Sequence, residues 1–229
     1  MRPRARPSAR PRARPASKRA MPFLCILPRE RRRTMKHRLA ILLSGRGSNF
    51  EAIADAVESG TIPNSEIVAV ISDVPGARGL ALAKERGLPA FAVDRRAYAS
   101  RRAHEDAMLS ILEREKPELI CLAGYMRLLS SEFVRRYRAR ILNIHPALLP
   151  KYRGLDAQRR ALEAGESESG CTVHYVDEGT DTGPILLQRE VPILQGDTEE
   201  TLSARILAEE HRAYPEAVAR VLAGLEKGA

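Results

Sequence analysis

An amide, an imidazole and a carboxylate, Asn143, His145 and Asp181, are the residues in this chain whose types and spacing suit acyl transfer. When an amine attacks a carbonyl, negative charge grows on oxygen and positive charge on nitrogen. A neutral amide donor and a protonated imidazole can hold that oxygen. A carboxylate can accept the amine proton, directly or through one water, and can keep the imidazole charged and oriented. Asp177 and Glu178 compete for the carboxylate role, and chemistry alone does not choose among the three acids. His174 is the competing imidazole; it lies inside an apparent strand and is expected to be structural or to support the site from behind. By itself, an Asn-x-His pair also fits a turn residue beside a half-buried histidine.

The elements around these residues could bring them together. Ile141-Leu-Asn-Ile-His145 reads as a short buried strand, stopped by Pro146 and by Leu148-Leu149-Pro150. Alternation along a strand puts the side chains at 143 and 145 on one face. A strand ending in a proline-stiffened loop puts them at its carboxyl end, where open α/β sheets bind ligands. Cys171–Val176 and Ile185–Val191 read as two more strands, joined through the acidic turn that carries Asp181. Leu155–Ala164 reads as a helix closed by Gly165. Asp197-Thr-Glu-Glu200 reads as a capping box, with Asp197 at N-cap and Glu200 at N3. The helix it opens runs to Tyr214, where Pro215 kinks or restarts it.

In the N-terminal half, Leu39–Leu43 is a continuous apolar run of the kind a central parallel strand shows. Ser44-Gly-Arg-Gly-Ser-Asn49 follows, then helical spacing at Phe50, Ile53, Ala54 and Val57. Strand, glycine-rich turn and helix make a phosphate cradle, in which backbone N–H groups at a helix start face an anion. A plain tight turn explains the same residues equally well. The dinucleotide fingerprint fails, because its third glycine would fall at Phe50, and no Gly-Lys-Ser/Thr is present. Strands at Glu66–Ile71, Pro89–Val93 and Glu118–Ala123 alternate with helices at Gly79–Arg86 and Arg101–Glu115. That alternation predicts an α/β protein with a doubly wound, mostly parallel, Rossmann-like sheet, a single domain over residues 38–229.

The net charge of +9 is a poor guide to partners. Residues 1–38 hold 14 of the 38 Lys and Arg and one acid, whereas residues 39–229 hold 24 basic against 28 acidic residues. A nucleic-acid-associated protein acting through this tail is the reading from a different class. Deleting residues 1–34 separates the two, because a tail-driven binder would lose a steeply salt-dependent affinity. Residues 1–37 repeat Arg-Pro-Arg-Ala-Arg-Pro at 2–7 and 10–15 and are expected to be disordered. Their plainest explanation is a translation start at Met35, or at Met21, with a targeting segment as the alternative. Cys25, Cys121 and Cys171, without a C-x-x-C, make no disulfide framework and fit a reducing cytoplasm. The five histidines have no metal-ligand spacing, and no apolar run approaches the length of a membrane span.

Asn143-Ile-His145-Pro-Ala-Leu-Leu-Pro-Lys-Tyr-Arg-Gly154, with Asp177-Glu-Gly-Thr-Asp181-Thr-Gly-Pro184, resembles the folate-dependent formyltransferases. The likeness runs from Arg38 to Gly224. It implies transfer of a formyl group from 10-formyltetrahydrofolate, a co-substrate, to the amine of glycinamide ribonucleotide in purine synthesis. It implies a cytoplasmic monomer or homodimer with no tightly bound cofactor, no metal, and neither membrane nor nucleic acid as partner. Asn143, His145 and Asp181 then match the catalytic residues. Gly47, Ser48 and Asn49 match residues that hold the substrate's phosphate, and Glu210 a carboxylate on its ribose hydroxyls. Arg101, Met126, Arg127, Leu128, Leu129, Asn143, Asp177, Glu178, Gly179 and Thr180 match the folate pocket.

Without the resemblance, Arg101 reads as a solvated helix-start charge with Arg102 as its rival. Met126, Leu128 and Leu129 read as ordinary core, and Glu210 as a solvated helix residue. Leu207 stands where some relatives carry a polar ribose contact, and Asp156–Arg160 departs from members that carry histidines there. Two members of the family are expected less. Methionyl-tRNA formyltransferase would bring a further C-terminal tRNA-binding domain, and formyltetrahydrofolate hydrolase an N-terminal regulatory domain.

Overall fold

A strand that is apolar at every position must be covered on both faces, and the computed structural model shows both covers for Leu39–Leu43. The structure describes residues 36–227; the expected disordered extension and alternative starts, up to residue 35, lie outside the described residues. In chain order the elements are β1 (His37–Leu43), α1 (Ser48–Glu58), β2 (Ser65–Ser72), α2 (Arg78–Glu85), β3 (Ala90–Ala92), α3 (Arg101–Glu115) and β4 (Leu119–Leu122). There follow α4 (Ser131–Arg136), β5 (Ile141–His145), α5 (Ala157–Glu163), β6 (Glu168–Tyr175), β7 (Ile185–Pro192) and α6 (Glu199–Lys227). They form a seven-stranded sheet in the order β3-β2-β1-β4-β5-β6-β7. The first five strands in that order run parallel. β6 is antiparallel to β5, and β7 to β6.

Alternation along β1 divides the core. Leu39, Ile41 and Leu43 face a layer that holds Phe50 and Ile53 of α1, Leu80 of α2, and Ile206 and Tyr214 of α6. Ala40 and Leu42 face the other layer, built on Met108 and Leu112 of α3 and Phe133 of α4. The strand order reverses between β1 and β4, so the loops leaving these neighbours lead to opposite sides and open a crevice at the sheet's carboxyl edge. Cys121 and Cys171 are buried and free. Burial pushes both thiols up to about 12, which keeps them protonated and inert at neutral pH.

α3 has the bounds expected from its residues, because its ends are local. The Ser100 hydroxyl accepts from Ala103 N (3.1 Å), and Lys116 closes the helix at φ 46°. The capping box of α6 lies one residue later than expected. Thr198 is the cap: Thr201 N donates to its Oγ1 (3.3 Å), and Thr198 N donates back to Thr201 Oγ1 (2.9 Å). Asp197 instead accepts from Leu194 N (2.7 Å) and pairs with Arg205 (2.7 Å), which takes it out of the capping position. α6 also continues through Pro215, which excludes the restart that was one of the two expectations there. Tyr214, Ala217 and Val218 are fully buried on either side of Pro215, and packing on the sheet holds the helix across the missing N–H.

The Tyr214 hydroxyl donates to both Leu122 O (3.1 Å) and Leu142 O (3.0 Å), tying β4 to β5 beside Asn143. Tyr214→Phe leaves two buried carbonyls short of a donor. It is expected to lower unfolding stability by about 1–3 kcal/mol. Urea titration should show the midpoint falling with an unchanged slope.

Candidate active site

β5 and β6 pair so that Asn143 lies opposite His174 and His145 opposite Thr172. The turn after β6 returns Asp181 to the same place. The Asn143 amide nitrogen is 3.2 Å from His174 Nε2 and 3.4 Å from Asp181 Oδ1. Asp181 Oδ2 is 3.4 Å from His145 Nδ1 and accepts from Gly154 N (2.9 Å). His145 Nε2 faces Tyr152 O at 2.9 Å. His174 Nδ1 faces Tyr175 O at 2.9 Å, which places a hydrogen on Nδ1. His174 Nε2 faces both the Asn143 amide nitrogen and Asp181 Oδ1, so it takes an amide hydrogen when bare and donates to Asp181 when it carries a hydrogen. His174 thus supports the site from behind, touching both Asn143 and Asp181 (Nε2 to Oδ1, 3.5 Å).

Among the three acids of the turn, only Asp181 reaches the Asn143–His145 pair. Asp177 accepts from Gly179 N (3.1 Å) and Thr182 Oγ1 (2.6 Å) and so braces its own loop. Glu178 points outward to Arg135 (3.4 Å). Asp181 reaches inward because its backbone is left-handed, φ 51°, a conformation Asp tolerates better than most residues. Tyr152, φ 55°, is also left-handed, and its carbonyl is the one aimed at His145.

The electrostatics of the cluster favour the charge of Asp181 and oppose that of His145. Burial opposes the charge of Asp181, but bonds from His174 and Gly154 N and the two nearby imidazoles outweigh it, so its pKa lies below the ordinary carboxylate value. His145 is pulled the other way: burial lowers its pKa, while Asp181 and the Tyr152 carbonyl resist. Both ring nitrogens of His145 face oxygen acceptors, and only the imidazolium puts a hydrogen on each. The charged ring therefore depends on Asp181 for its stability.

The glycine-rich turn stands at the N-terminus of α1. Gly47 has φ 84°, and a Cβ there would lie 2.6 Å from Gly79 Cα, so the close approach of the two loops requires glycine. The first N–H groups of α1 have no intrahelical acceptor and suit an anion. Asn49 is buried beside them and donates to Glu210 Oε2 (2.7 Å), while its own Oδ1 has no partner. Glu210 is 7% exposed, against the expectation of a solvated helix residue. Burial raises its pKa, with Asn49 and Arg46 acting the other way.

Across the crevice, Met126 and Leu128 are 70% and 64% exposed, which rules out the core reading for both; Leu129 is half-buried against the α3–α4 layer. Arg101 is turned towards their loop: its Nη2 donates to Leu128 O (2.5 Å) and its Nε to Glu105 (3.0 Å). Arg102 points away, to Asp106 and Glu132. Arg127 is half-buried on the same loop, and Gly179 and Thr180 are exposed on the facing turn. Sequence reasoning missed Tyr152, Gly154 and Glu105. Their contacts are formed by a loop carbonyl, a loop N–H and a helix side chain that carry no motif. Among the described residues no cluster of His, Cys, Asp or Glu could hold a metal, and no helix is long and apolar enough to cross a membrane.

An open α/β sheet with a helix start fit for an anion on one side of its crevice, and an amide, imidazole and carboxylate at the edge of β5, is an arrangement that can carry acyl transfer. The chain belongs to the formyl transferase family, whose sequence model matches residues 37–218. It is 50% identical over 190 residues to the trifunctional purine biosynthetic protein adenosine-3 of Drosophila pseudoobscura pseudoobscura. That match covers 82% of this chain, which spans 14% of the length of the relative. Among solved structures it is similar to glycinamide ribonucleotide transformylase 1 from Symbiobacterium toebii, with TM-score 0.81 and 48% identity over 83% of this chain and 89% of that one. Phosphoribosylglycinamide formyltransferase from Brucella melitensis superposes with TM-score 0.77 at 52% identity, over 81% of this chain and 95% of that one.

Proposed function

We infer that the chain transfers a formyl group from 10-formyltetrahydrofolate to the amine of glycinamide ribonucleotide, giving the formylated nucleotide and tetrahydrofolate. The observation that carries this reading is the convergence of Asn143, His145 and Asp181 beside an anion cradle, in a chain of the formyl transferase family. In this reading the ribonucleotide phosphate rests on Gly47, Ser48 and Asn49, with Glu210 on the ribose hydroxyls. The folate lies between the 126–129 loop and the 177–181 turn, where exposed Met126 and Leu128 offer apolar surface to a flat ring and Arg101 offers a cation to a carboxylate. The substrate amine attacks the formyl carbon, and oxyanion charge grows between Asn143 and His145. His145 Nδ1 lies 3.4 Å from Asp181 Oδ2, and its hydrogen is the one of the imidazolium not directed at the Tyr152 carbonyl, so it is the donor offered to the oxyanion. Asp181, kept ionised by its surroundings, supports the imidazolium and accepts the amine proton through water. Collapse of the oxyanion breaks the bond between the formyl carbon and the folate nitrogen, that nitrogen takes up the proton shed by the amine, and tetrahydrofolate leaves, so the folate is a co-substrate. The setting is that of a cytoplasmic enzyme acting on small molecules.

The test is formyl transfer with protein beginning at Met35, 10-formyltetrahydrofolate and glycinamide ribonucleotide. Folate-dependent formylated product is the expected result. Formate release without product would assign a hydrolase instead, and an inert folate would sink the formyl-transfer reading. The same assay reads the cradle. Gly47→Ala meets both a left-handed backbone, costing about 1–2 kcal/mol, and a backbone clash. It is expected to raise the KM for the ribonucleotide about tenfold or more while leaving the folate KM near wild type.

A further inference from the structure

Two buried carboxylates take no part in the chemistry described above, and both reach the same loop. Glu105, in α3, is 6% exposed, and Asp73, just after β2, is fully buried. Glu105 Oε1 accepts from Ser130 N and from Arg101 Nε, each at 3.0 Å, and its Oε2 takes the Ser130 hydroxyl hydrogen. With that hydrogen committed, Ser130 Oγ has only lone pairs left, and it accepts from Phe133 N (3.2 Å). Asp73 works in the same way at a distance. Its Oδ1 accepts from Ser44 Oγ (2.6 Å), and the Ser44 oxygen in turn accepts from Met126 N (2.9 Å). Ser44 N also donates to Gly124 O (3.0 Å). Met126 and Ser130 are the two ends of the exposed loop at the donor side of the crevice.

Asp73 Oδ2 has no hydrogen-bond partner, and Arg95 is 3.7 Å away. A buried, half-satisfied carboxylate costs stability, and an apolar pair in its place would cost less. Such a group is worth its cost where its other oxygen does something an apolar group cannot. Here it directs the Ser44 lone pairs at Met126 N.

We propose that Glu105 and Asp73 are positioning residues for the formyl donor: two buried carboxylates that fasten the ends of the 126–129 loop, one at Ser130 and one through Ser44. The proposal rests on the formyl-transfer reading. Without these anchors two exposed apolar side chains would pull the loop onto the protein surface, and the donor would have to reopen it. Through Glu105 the anchor also sets the direction of Arg101. The link at Ser44 ties the donor loop to the turn that carries the phosphate cradle.

The experiment compares KM and kcat for both substrates in the full chain and in Glu105→Ala, Glu105→Gln and Ser44→Ala. Glu105→Gln keeps the bonds from Arg101 and Ser130 N on its carbonyl oxygen and keeps contact with Ser130 Oγ through its amide, with the donor direction of that one bond reversed. Glu105→Ala is expected to raise the 10-formyltetrahydrofolate KM about tenfold, with kcat and the ribonucleotide KM changed less than about threefold. Glu105→Gln should restore the donor KM, and Ser44→Ala should raise it more than it raises the ribonucleotide KM. An unchanged donor KM in folded Glu105→Ala overturns the proposal. So does an equal impairment of all three constants, with both KM values raised and kcat lowered alike, or a Gln variant no better than Ala. Should Glu105→Ala fail to fold, Ser44→Ala, which removes a single oxygen, decides by the same donor-against-acceptor comparison. A wild-type chain that turns over no folate would instead overturn the formyl-transfer reading itself.

Discussion

Asp181→Asn is expected to lower kcat by about 10³–10⁴-fold with little change in either KM. The substitution suits the question because it disturbs little else. Asn accepts the left-handed backbone at φ 51° as readily as Asp does, and its amide oxygen can still take the hydrogen from Gly154 N. What it removes is the charge. That charge has two roles in the reading above: it accepts the amine proton through water, and it stabilises the imidazolium of His145. Losing both in a single isosteric change is why the largest effect is placed here. Asp181→Ala is the poorer probe, since it strains the turn and leaves Gly154 N unpaired. Steady-state kinetics on a variant with unaltered thermal stability decides the matter. An Asp181→Asn enzyme within tenfold of wild-type kcat would remove the carboxylate from the chemistry, and Asp177 and Glu178, which face away, would not replace it.

His145→Ala comes second, with kcat lowered about 10²–10³-fold, the usual cost of one oxyanion donor. Both KM values should remain near wild type, because the contact is worth most when charge has developed on the oxygen. A titration of the ring makes the argument sharper. Burial already holds the His145 pKa below its ordinary value, and Asp181 is the main group raising it. Removing the negative charge disfavours the imidazolium, so in Asp181→Asn the His145 pKa must fall further. Nitrogen-detected NMR should show the ring titrating at lower pH in the variant, and the limb of kcat/KM that follows His145 should move to lower pH with it. Movement to higher pH, or none, would mean that the two groups do not act together.

The parts of this protein that were legible in its residues are those set by local physics. β5 runs from Ile141 to His145 as expected, because a short apolar run is stopped at once by prolines. α3 runs from Arg101 to Glu115 as expected, because Ser100 caps it and the chain turns left-handed at Lys116. The continuous apolar run of β1 announced a strand covered on both faces, and with the strand–helix alternation it announced a doubly wound sheet. The motif residues carried the family resemblance. Where a cap depended on one residue's choice of partner, as at Asp197 and Thr198, the reading slipped by one position.

Tertiary structure decided the rest. Chemistry alone did not separate three acids within five residues, and only the resemblance favoured Asp181; a left-handed backbone at Asp181, and competing partners for Asp177 and Glu178, turned that one inward. His174 gained its place from strand register, since only the antiparallel pairing of β6 on β5 sets it opposite Asn143. Met126 and Leu128 look like core by composition, yet they are exposed because both ends of their loop are tied to buried groups on other elements. Residue type and local pattern determine which elements form and what chemistry is available. Side-chain direction depends on which strands pair and which loops are anchored, and those contacts join residues far apart in the chain.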